Sequence, residues 1–262
     1  MVRARRKGQQ MNMALTSSVR SFSDAALNLV YPAVCQVCGE ERATADEGYV
    51  GPKCRARVRY LIPPYCDRCG LPYSGEIGGP FECANCTDVK LHFRCARSAV
   101  VADGMMLDIV GRYKYQPAQW FEPFLAGLLI AEARPALAVE NWDFIVPVPL
   151  HPVKRREREF NQAERLAGWL GPATKIPVNV RLLRRVKPTV TQTRLSREQR
   201  AENVSGAFAY CGGQKLSGEK IVLLDDVMTT GATTNACAAA LRRAGAGEIC
   251  VWTVARAVTT GT

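Results

Sequence analysis

Apolar positions along the chain fall into two patterns. Short runs flanked by polar residues occur at Ser98–Ala102, Asp143–Val148, Ile221–Leu224 and Ile249–Val254. Such runs suit strands buried on both faces of a parallel sheet. Between them, apolar residues recur at helical spacing over Met105–Tyr115, Phe121–Glu132, Phe160–Leu170 and Asn235–Arg243, and Val178–Leu183 reads as a further strand. This alternation predicts a mostly parallel sheet flanked by helices. Towards the N-terminus, Leu15, Val19, Phe22, Ala26 and Val30 predict one amphipathic helix over Ala14–Val30, stopped by Pro32. The stretch Thr189–Phe208 is polar and Arg-rich with few core positions, so it reads as an exposed loop and a short helix.

The most informative pattern is Ile221–Thr234, IVLLDDVMTTGATT. An apolar strand ends in two carboxylates, Asp225 and Asp226. A small-residue loop, Thr229-Thr230-Gly231-Ala232-Thr233, then leads into the helix at Asn235–Arg243, whose buried side is Ala236, Ala239, Ala240 and Leu241. Open α/β sheets bind ligands at this edge, outside the carboxyl ends of their strands. A hydroxyl-rich loop at a helix N-terminus suits a phosphate dianion, and Gly231 allows close backbone approach. Two carboxylates repel a phosphate but suit vicinal ribose hydroxyls or Mg²⁺. The stretch is not a Walker loop, because no Lys follows the Gly.

Composition sharpens this picture. The chain has 262 residues and a net charge of +11, which favours anionic partners. Residues 151–200 hold 13 Lys or Arg and 4 Glu, a net charge of +9. The first residues, Met1–Gln10, are basic and read as a tail, or as an overlong start with Met11 or Met13 as the initiator. No apolar run approaches the roughly 18 residues a membrane-spanning helix needs.

Eight of the 11 Cys fall between Cys35 and Cys95, six of them in C-x-x-C pairs. With no visible signal peptide, metal binding in a reducing cytoplasm fits better than a secreted disulfide scaffold. Cys66, Cys69, Cys83 and Cys86 form a complete pair of knuckles for structural Zn²⁺, with no open position for catalysis. Cys35 and Cys38 form another knuckle, followed by Cys54. Gly51 stands where a further Cys would complete that site. His92 or Cys95 is an available fourth ligand, and weak or absent zinc binding is the other outcome.

The 221–234 stretch resembles the phosphoribosyl pyrophosphate (PRPP) signature of type I phosphoribosyltransferases. The order of motifs, a Cys₄ module, then VPVPLHPVKRREREFNQAERLA, then TVTQTRLSREQRAENVSGAF, then the PRPP-type stretch, resembles the ComF family of bacterial proteins associated with DNA uptake in competence. The resemblance covers roughly Pro32–Ala257. It implies a type I phosphoribosyltransferase-like domain at 97–259 behind a zinc-ribbon module at 32–96, with 1–31 as tail and helix.

It further implies a cytoplasmic transferase that binds PRPP or another ribose 5-phosphate ligand together with Mg²⁺. Thr229, Thr230, Gly231, Ala232 and Thr233 hold the 5-phosphate, and Asp225 and Asp226 hold the ribose hydroxyls. Arg155, Arg156 and Arg158 face the pyrophosphate, so that Asp225, Asp226 and Arg158 are the catalytic candidates, with 189–203 as a lid. The alternative is a nucleic-acid-handling protein that binds single-stranded DNA, with DNA-uptake proteins as partners. Lys154, Arg155, Arg156 and Arg158 would then form a rim that Arg184, Arg185, Arg194 and Arg197 extend. Two departures stand out. Glu159 replaces the Gly of the family's R-G-F-N-Q loop, and Gly51 replaces a Cys. Thr229 replaces the Asp that serves 6-oxopurine enzymes three positions after the acid pair, which leaves the acceptor open.

Overall fold

The computed structural model describes residues 33–87, 89–116, 118–187 and 197–258. The basic tail, the helix expected at 14–30 and the first part of the expected lid, 189–196, lie outside these residues, and nothing is said of the side chains at 197, 198, 200 and 201.

Four strands form a parallel sheet: β1 (Cys95–Ala102), β2 (Phe144–Pro147), β5 (Lys220–Met228) and β6 (Glu248–Ala257), in the spatial order β1-β6-β5-β2. Two short strands, β3 (Leu183–Arg185) and β4 (Phe208–Tyr210), pair antiparallel beside it. The helices are α1 (Pro52–Ala56) and α2 (Ala84–Thr87) in the Cys-rich module, then α3 (Gly104–Tyr115), α4 (Glu122–Leu137), α5 (Pro152–Arg158), α6 (Gln162–Thr174), α7 (Arg197–Val204) and α8 (Ala232–Arg243). The predicted architecture, a mostly parallel sheet flanked by helices behind a small Cys-rich module, is the one observed.

The central strand explains why its sequence is apolar without alternation. Successive strand side chains point to opposite faces. Val222 and Leu224 join one core with α3, α4 and α6, whereas Ile221 and Leu223 join a second core with α8. The Cys-rich module divides in the same way. Cys35, Val50 and Cys54 pack into the first core, and Cys66, Cys69, Cys83 and Cys86 into the second. Between these halves the chain runs along the outer edge of β1. Leu61 N donates to Ala99 O at 3.0 Å, Val101 N to Arg59 O at 2.8 Å and Ala96 N to Arg68 O at 2.7 Å. The module thereby covers an edge strand whose backbone groups would otherwise stand open to another chain.

Several elements differ from the sequence reading. β5 runs on to Met228 through both acids, because the ladder to β6 uses backbone groups and continues at Asp225–Thr253 and Val227–Ala255 whatever the side chains. The strand expected at 178–183 reduces to one bridge, Val178 with Ile145; only Leu183 of that stretch enters a strand, β3. β4 carried too few residues to show a pattern. The Arg-rich loop expected after Val148 contains helix α5. Pro152 opens it, and its last turn carries Arg155, Arg156 and Arg158, where cations favour a helix C-terminus. No residue of α5 is buried, so no hydrophobic period announced it. Trp169 is 45% exposed, although its indole is held as described below.

Candidate functional site

The parallel strands β2 and β5 deliver their following segments to the same edge of the sheet, and a cavity of about 310 Å³ opens there. Its floor is the end of β5. Asp226 is 6% exposed, and Asp225 is partly buried beside it. Asp226 N donates to Asp225 Oδ1 at 2.9 Å, and Val227 N donates to Asp226 Oδ1 at 2.7 Å. One wall is the loop from Thr229 into the first turn of α8. Gly231 is the N-cap of that helix and adopts φ 78°, a left-handed conformation that glycine accepts freely. Thr230 Oγ1 accepts from Ala232 N at 3.4 Å, and Thr234 Oγ1 donates to Gly231 O at 3.0 Å. The first-turn N–H groups of a helix have no partner within it and carry its positive end. Gly231, Ala232 and Thr233, which contribute to that end, border the cavity with Thr229.

Four cations line the same cavity: Lys114, Lys154, Arg158 and Arg185. Lys114, at the end of α3, places its Nζ 2.9 Å from Asp226 Oδ1. Burial pushes the Lys114 ammonium down, but the charges of Asp226 and Asp225 outweigh it, so the ammonium is held above its usual range. Burial and the neighbouring charge of Asp226 push the Asp225 carboxyl up to about 7, against the pull of Lys114 and Arg185. Lys154 is held below its usual range by burial and by the charges of Arg185 and Arg158. Arg158 lies 4.7 Å from the centre of the Tyr115 ring, and its Nη1 donates to Gln162 Oε1 at 3.3 Å. Arg185, 7% exposed, comes from β3 and lies over Phe208 at 5.3 Å.

The cation pattern differs from the one read in the sequence. Arg155 points to Glu164, with a two-pronged contact at 3.0 and 3.3 Å, and Arg156 is exposed; neither borders the cavity. Lys114 was not anticipated, because nothing in an amphipathic helix marks its last Lys as facing an acid pair. A buried network sets the position of that helix end. Glu122 of α4 accepts from Tyr113 Oη at 3.1 Å, Arg165 Nε at 2.8 Å and Trp169 Nε1 at 2.8 Å, joining α3, α4 and α6. Asn161 caps α6, accepting from Ala163 N at 3.1 Å, and its Nδ2 donates to Val148 O at 3.1 Å. Between the two helices, Glu159 ends α5 in the left-handed region at φ 65°. Glycine is favoured at such a position. Arg184 is exposed, and Arg194 and the Arg197 side chain lie outside what is described.

The cysteines form two clusters. The ligand atoms of Cys66, Cys69, Cys83 and Cys86 lie within 4.8 Å of one another, and all four residues are buried. Their Sγ separations include 3.5 Å (Cys69–Cys83), 3.7 Å (Cys83–Cys86) and 3.8 Å (Cys66–Cys86). A tetrahedron with Zn–S bonds of about 2.3 Å has S···S edges of about 3.8 Å. The distances therefore fit one zinc ion, not disulfides. Burial pushes the Cys83 thiol up to about 11, with Cys69 and Cys66 adding to the effect. Burial also pushes Cys66 up, but N–H groups of Cys83, Cys69 and Arg68 outweigh it and bring that thiol to about 7. Only a cation lets so many buried thiols ionise together.

The second cluster is Cys35, Cys38, Cys54 and Glu41. The alternatives read from the sequence are not brought there. His92 N donates to Asn235 Oδ1 at 2.7 Å, docking the chain on α8, and Cys95 begins β1 opposite Cys250.

Fold and site define the class: an α/β protein with an acid pair and a Gly-containing loop at the carboxyl edge of its sheet, behind a ribbon with two Cys clusters. Residues 26–90 match the double zinc ribbon domain family. Competence protein F of Haemophilus influenzae is 33% identical over 214 residues, covering 78% of this chain and 89% of that protein. DNA utilization protein YhgH of Salmonella typhimurium is 30% identical over 235 residues, covering 87% and 99%. Among solved structures, the purine phosphoribosyltransferase of Pyrococcus horikoshii is 20% identical, with 53% of this chain and 87% of that one covered at a TM-score of 0.30. The chain belongs to the competence protein F (ComF) family. Among the described residues, no helix is long and apolar enough to cross a membrane.

Proposed function

We propose that the cavity at the carboxyl edge of β5 binds PRPP or another ribose 5-phosphate ligand, with 97–259 as the ligand-binding domain and 32–96 as its zinc-bearing support. The observation that carries this reading is one cavity that joins Asp225 and Asp226 to the Gly231 helix N-terminus and to four cations. The 5-phosphate sits in the Thr229–Thr233 loop. Asp225 and Asp226 accept from the ribose hydroxyls, with the Lys114 ammonium paired to Asp226 at 2.9 Å. Arg158, Lys154 and Arg185 face the pyrophosphate, with Arg155 and Arg156 outside them on α5.

In a transfer reaction the bond from the anomeric carbon to the pyrophosphate oxygen breaks and a bond to an acceptor nitrogen forms. The cations stabilise the charge that gathers on the leaving pyrophosphate, and the site otherwise acts by positioning. Mg²⁺ bound to the pyrophosphate would add Lewis-acid charge neutralisation there. The test is pyrophosphate release from PRPP in the presence of candidate acceptors, compared between the protein and an Asp225→Ala, Asp226→Ala variant. Release that is equal in both, or absent while PRPP still binds, removes the transferase reading.

A second reading follows from the names of the relatives, competence and DNA utilization proteins, and from the exposed Arg156 and Arg184. In it, the same anion site belongs to a protein of DNA uptake that holds a single strand. Binding would then be electrostatic and fall steeply with salt. Absence of single-stranded DNA binding at low salt, with PRPP binding retained, removes this reading.

A further inference from the structure

We propose that Glu41 is the fourth ligand of the first ribbon site, completing a Cys₃–carboxylate zinc centre in the space that Gly51 leaves open. The two halves of the ribbon are built alike up to one position. In the complete site, Cys83 N donates to Cys66 Sγ at 3.3 Å; in the other, Gly51 N donates to Cys35 Sγ at 3.3 Å. Gly51 is therefore the counterpart of the ligand Cys83, and it has no side chain to offer. A Cβ built on Gly51 would lie 2.3 Å from Glu41 Cγ and Cδ and 2.7 Å from Glu41 Oε1. The carboxylate fills the volume that a cysteine at 51 would occupy.

It also takes over that cysteine's hydrogen bonds. A knuckle thiolate accepts N–H groups from the residues two and three positions on, as Cys66 does from Arg68 and Cys69, and Cys35 from Val37 and Cys38. Counted from Gly51, those positions are Lys53 and Cys54. Their N–H groups go to Glu41 instead, Lys53 N to Oε2 at 2.8 Å and Cys54 N to Oε1 at 3.0 Å. Oε1 also lies 3.8 Å from Cys38 Sγ. The four ligand atoms of Cys35, Cys38, Glu41 and Cys54 lie within 4.8 Å of one another. Carboxylate oxygen is an accepted zinc ligand at about 2.0–2.2 Å, alongside thiolate sulfur. The sequence hides this arrangement, because the replacement ligand lies ten positions before the Gly and outside any C-x-x-C spacing.

The test uses the full chain, with zinc content measured directly and cobalt substituted for zinc to count thiolates by their charge-transfer absorbance. The wild type should hold two metal ions on seven thiolates. Glu41→Gln keeps the shape and one of the two accepting oxygens but removes the anionic ligand. It should weaken one of the two ions to a chelator by roughly tenfold or more, since even outer partners of a metal site are worth 10–100-fold. The paired change Glu41→Ala with Gly51→Cys should restore two tightly held ions, now on eight thiolates. This pair keeps the proposal testable if Glu41→Gln alone fails to fold. One metal ion in the wild type, or unchanged chelator resistance in Glu41→Gln, would overturn the proposal and leave Glu41 as a cap of α1 only. Failure of the paired variant to gain a thiolate signal would also count against it.

Discussion

Arg256 Nε donates to the carbonyl oxygen of Cys69 at 3.1 Å, joining the last sheet strand to a zinc-knuckle residue. The same guanidinium, on a residue only 4% exposed, donates through Nη1 to Met228 O at 3.1 Å and also to Thr229 O, where the ligand loop begins. The Cys₄ site and the loop are thus held by one side chain, although no described ribbon residue lines the cavity. Arg256→Met should cost about 3 kcal/mol in urea unfolding, because it leaves buried carbonyls without a donor. Cys69→Ser should do more. It removes a zinc centre of the kind worth on the order of 10–16 kcal/mol in small modules, and should unfold the ribbon and weaken ligand binding together. Ligand affinity unchanged in zinc-stripped, still folded protein would contradict this coupling.

Lys114 is the counter-ion of a nearly buried carboxylate. Lys114→Met should therefore leave Asp226 uncompensated beside Asp225 and cost about 3–5 kcal/mol, the usual result of removing one partner of a buried pair. Adding Asp226→Asn to Lys114→Met should recover part of that loss, a coupling that a double-mutant cycle in urea unfolding measures.

Asp225 makes stability depend on pH in a defined direction. Its folded value, about 7, lies above the ordinary 3.8, so the folded state binds its proton more tightly than the unfolded chain does. The resulting penalty is absent below about pH 3.8, grows as pH rises towards 7 and is constant above. Asp225→Asn removes it. The variant should gain on the wild type across that window and level off near neutrality, by on the order of 2–4 kcal/mol. The charged groups facing this carboxyl, Asp226, Lys114 and Arg185, are unchanged in the comparison.

How far the sequence foretold all this depended on what each residue had to do. Strands that bury apolar side chains were legible, because burial on both faces of β5 leaves the unbroken run Ile221–Leu224. Helix α8 was legible as a helix, but its buried side is Thr234, Cys237, Ala238, Ala240 and Leu241, with the expected Ala236 and Ala239 only partly buried. The Cys₄ set, Cys66, Cys69, Cys83 and Cys86, was legible because both knuckles keep their spacing. Contacts made across the fold were not. Lys114 meets Asp226 only because α3 ends at the mouth of β5, and Glu41 meets Cys54 only because Gly51 yields its space. Helix α5 escaped notice because it buries nothing. Arg155 and Arg156 were grouped with Arg158 by adjacency, but only Arg158, one turn beyond Lys154, shares the cavity with it, and Arg155 is drawn away to Glu164.

Glu159 holds a left-handed backbone position, φ 65°, without being a glycine. Glu159→Gly should raise thermal stability by about 1 kcal/mol, since a left-handed residue with a Cβ is disfavoured by about that much. A loss of stability would show that the Glu159 side chain contributes more than its backbone costs.

The central claim is that Asp225, Asp226 and the Thr229–Thr233 loop hold a ribose 5-phosphate. Isothermal titration of the zinc-loaded protein with PRPP and Mg²⁺ tests it most directly, with Asp226→Ala as the paired sample. The account predicts saturable binding in the wild type and a loss of about 1.5–3 kcal/mol in Asp226→Ala, the worth of a hydrogen bond to a charged group. No heat of binding in the wild type, or equal affinity in the two proteins, would contradict it.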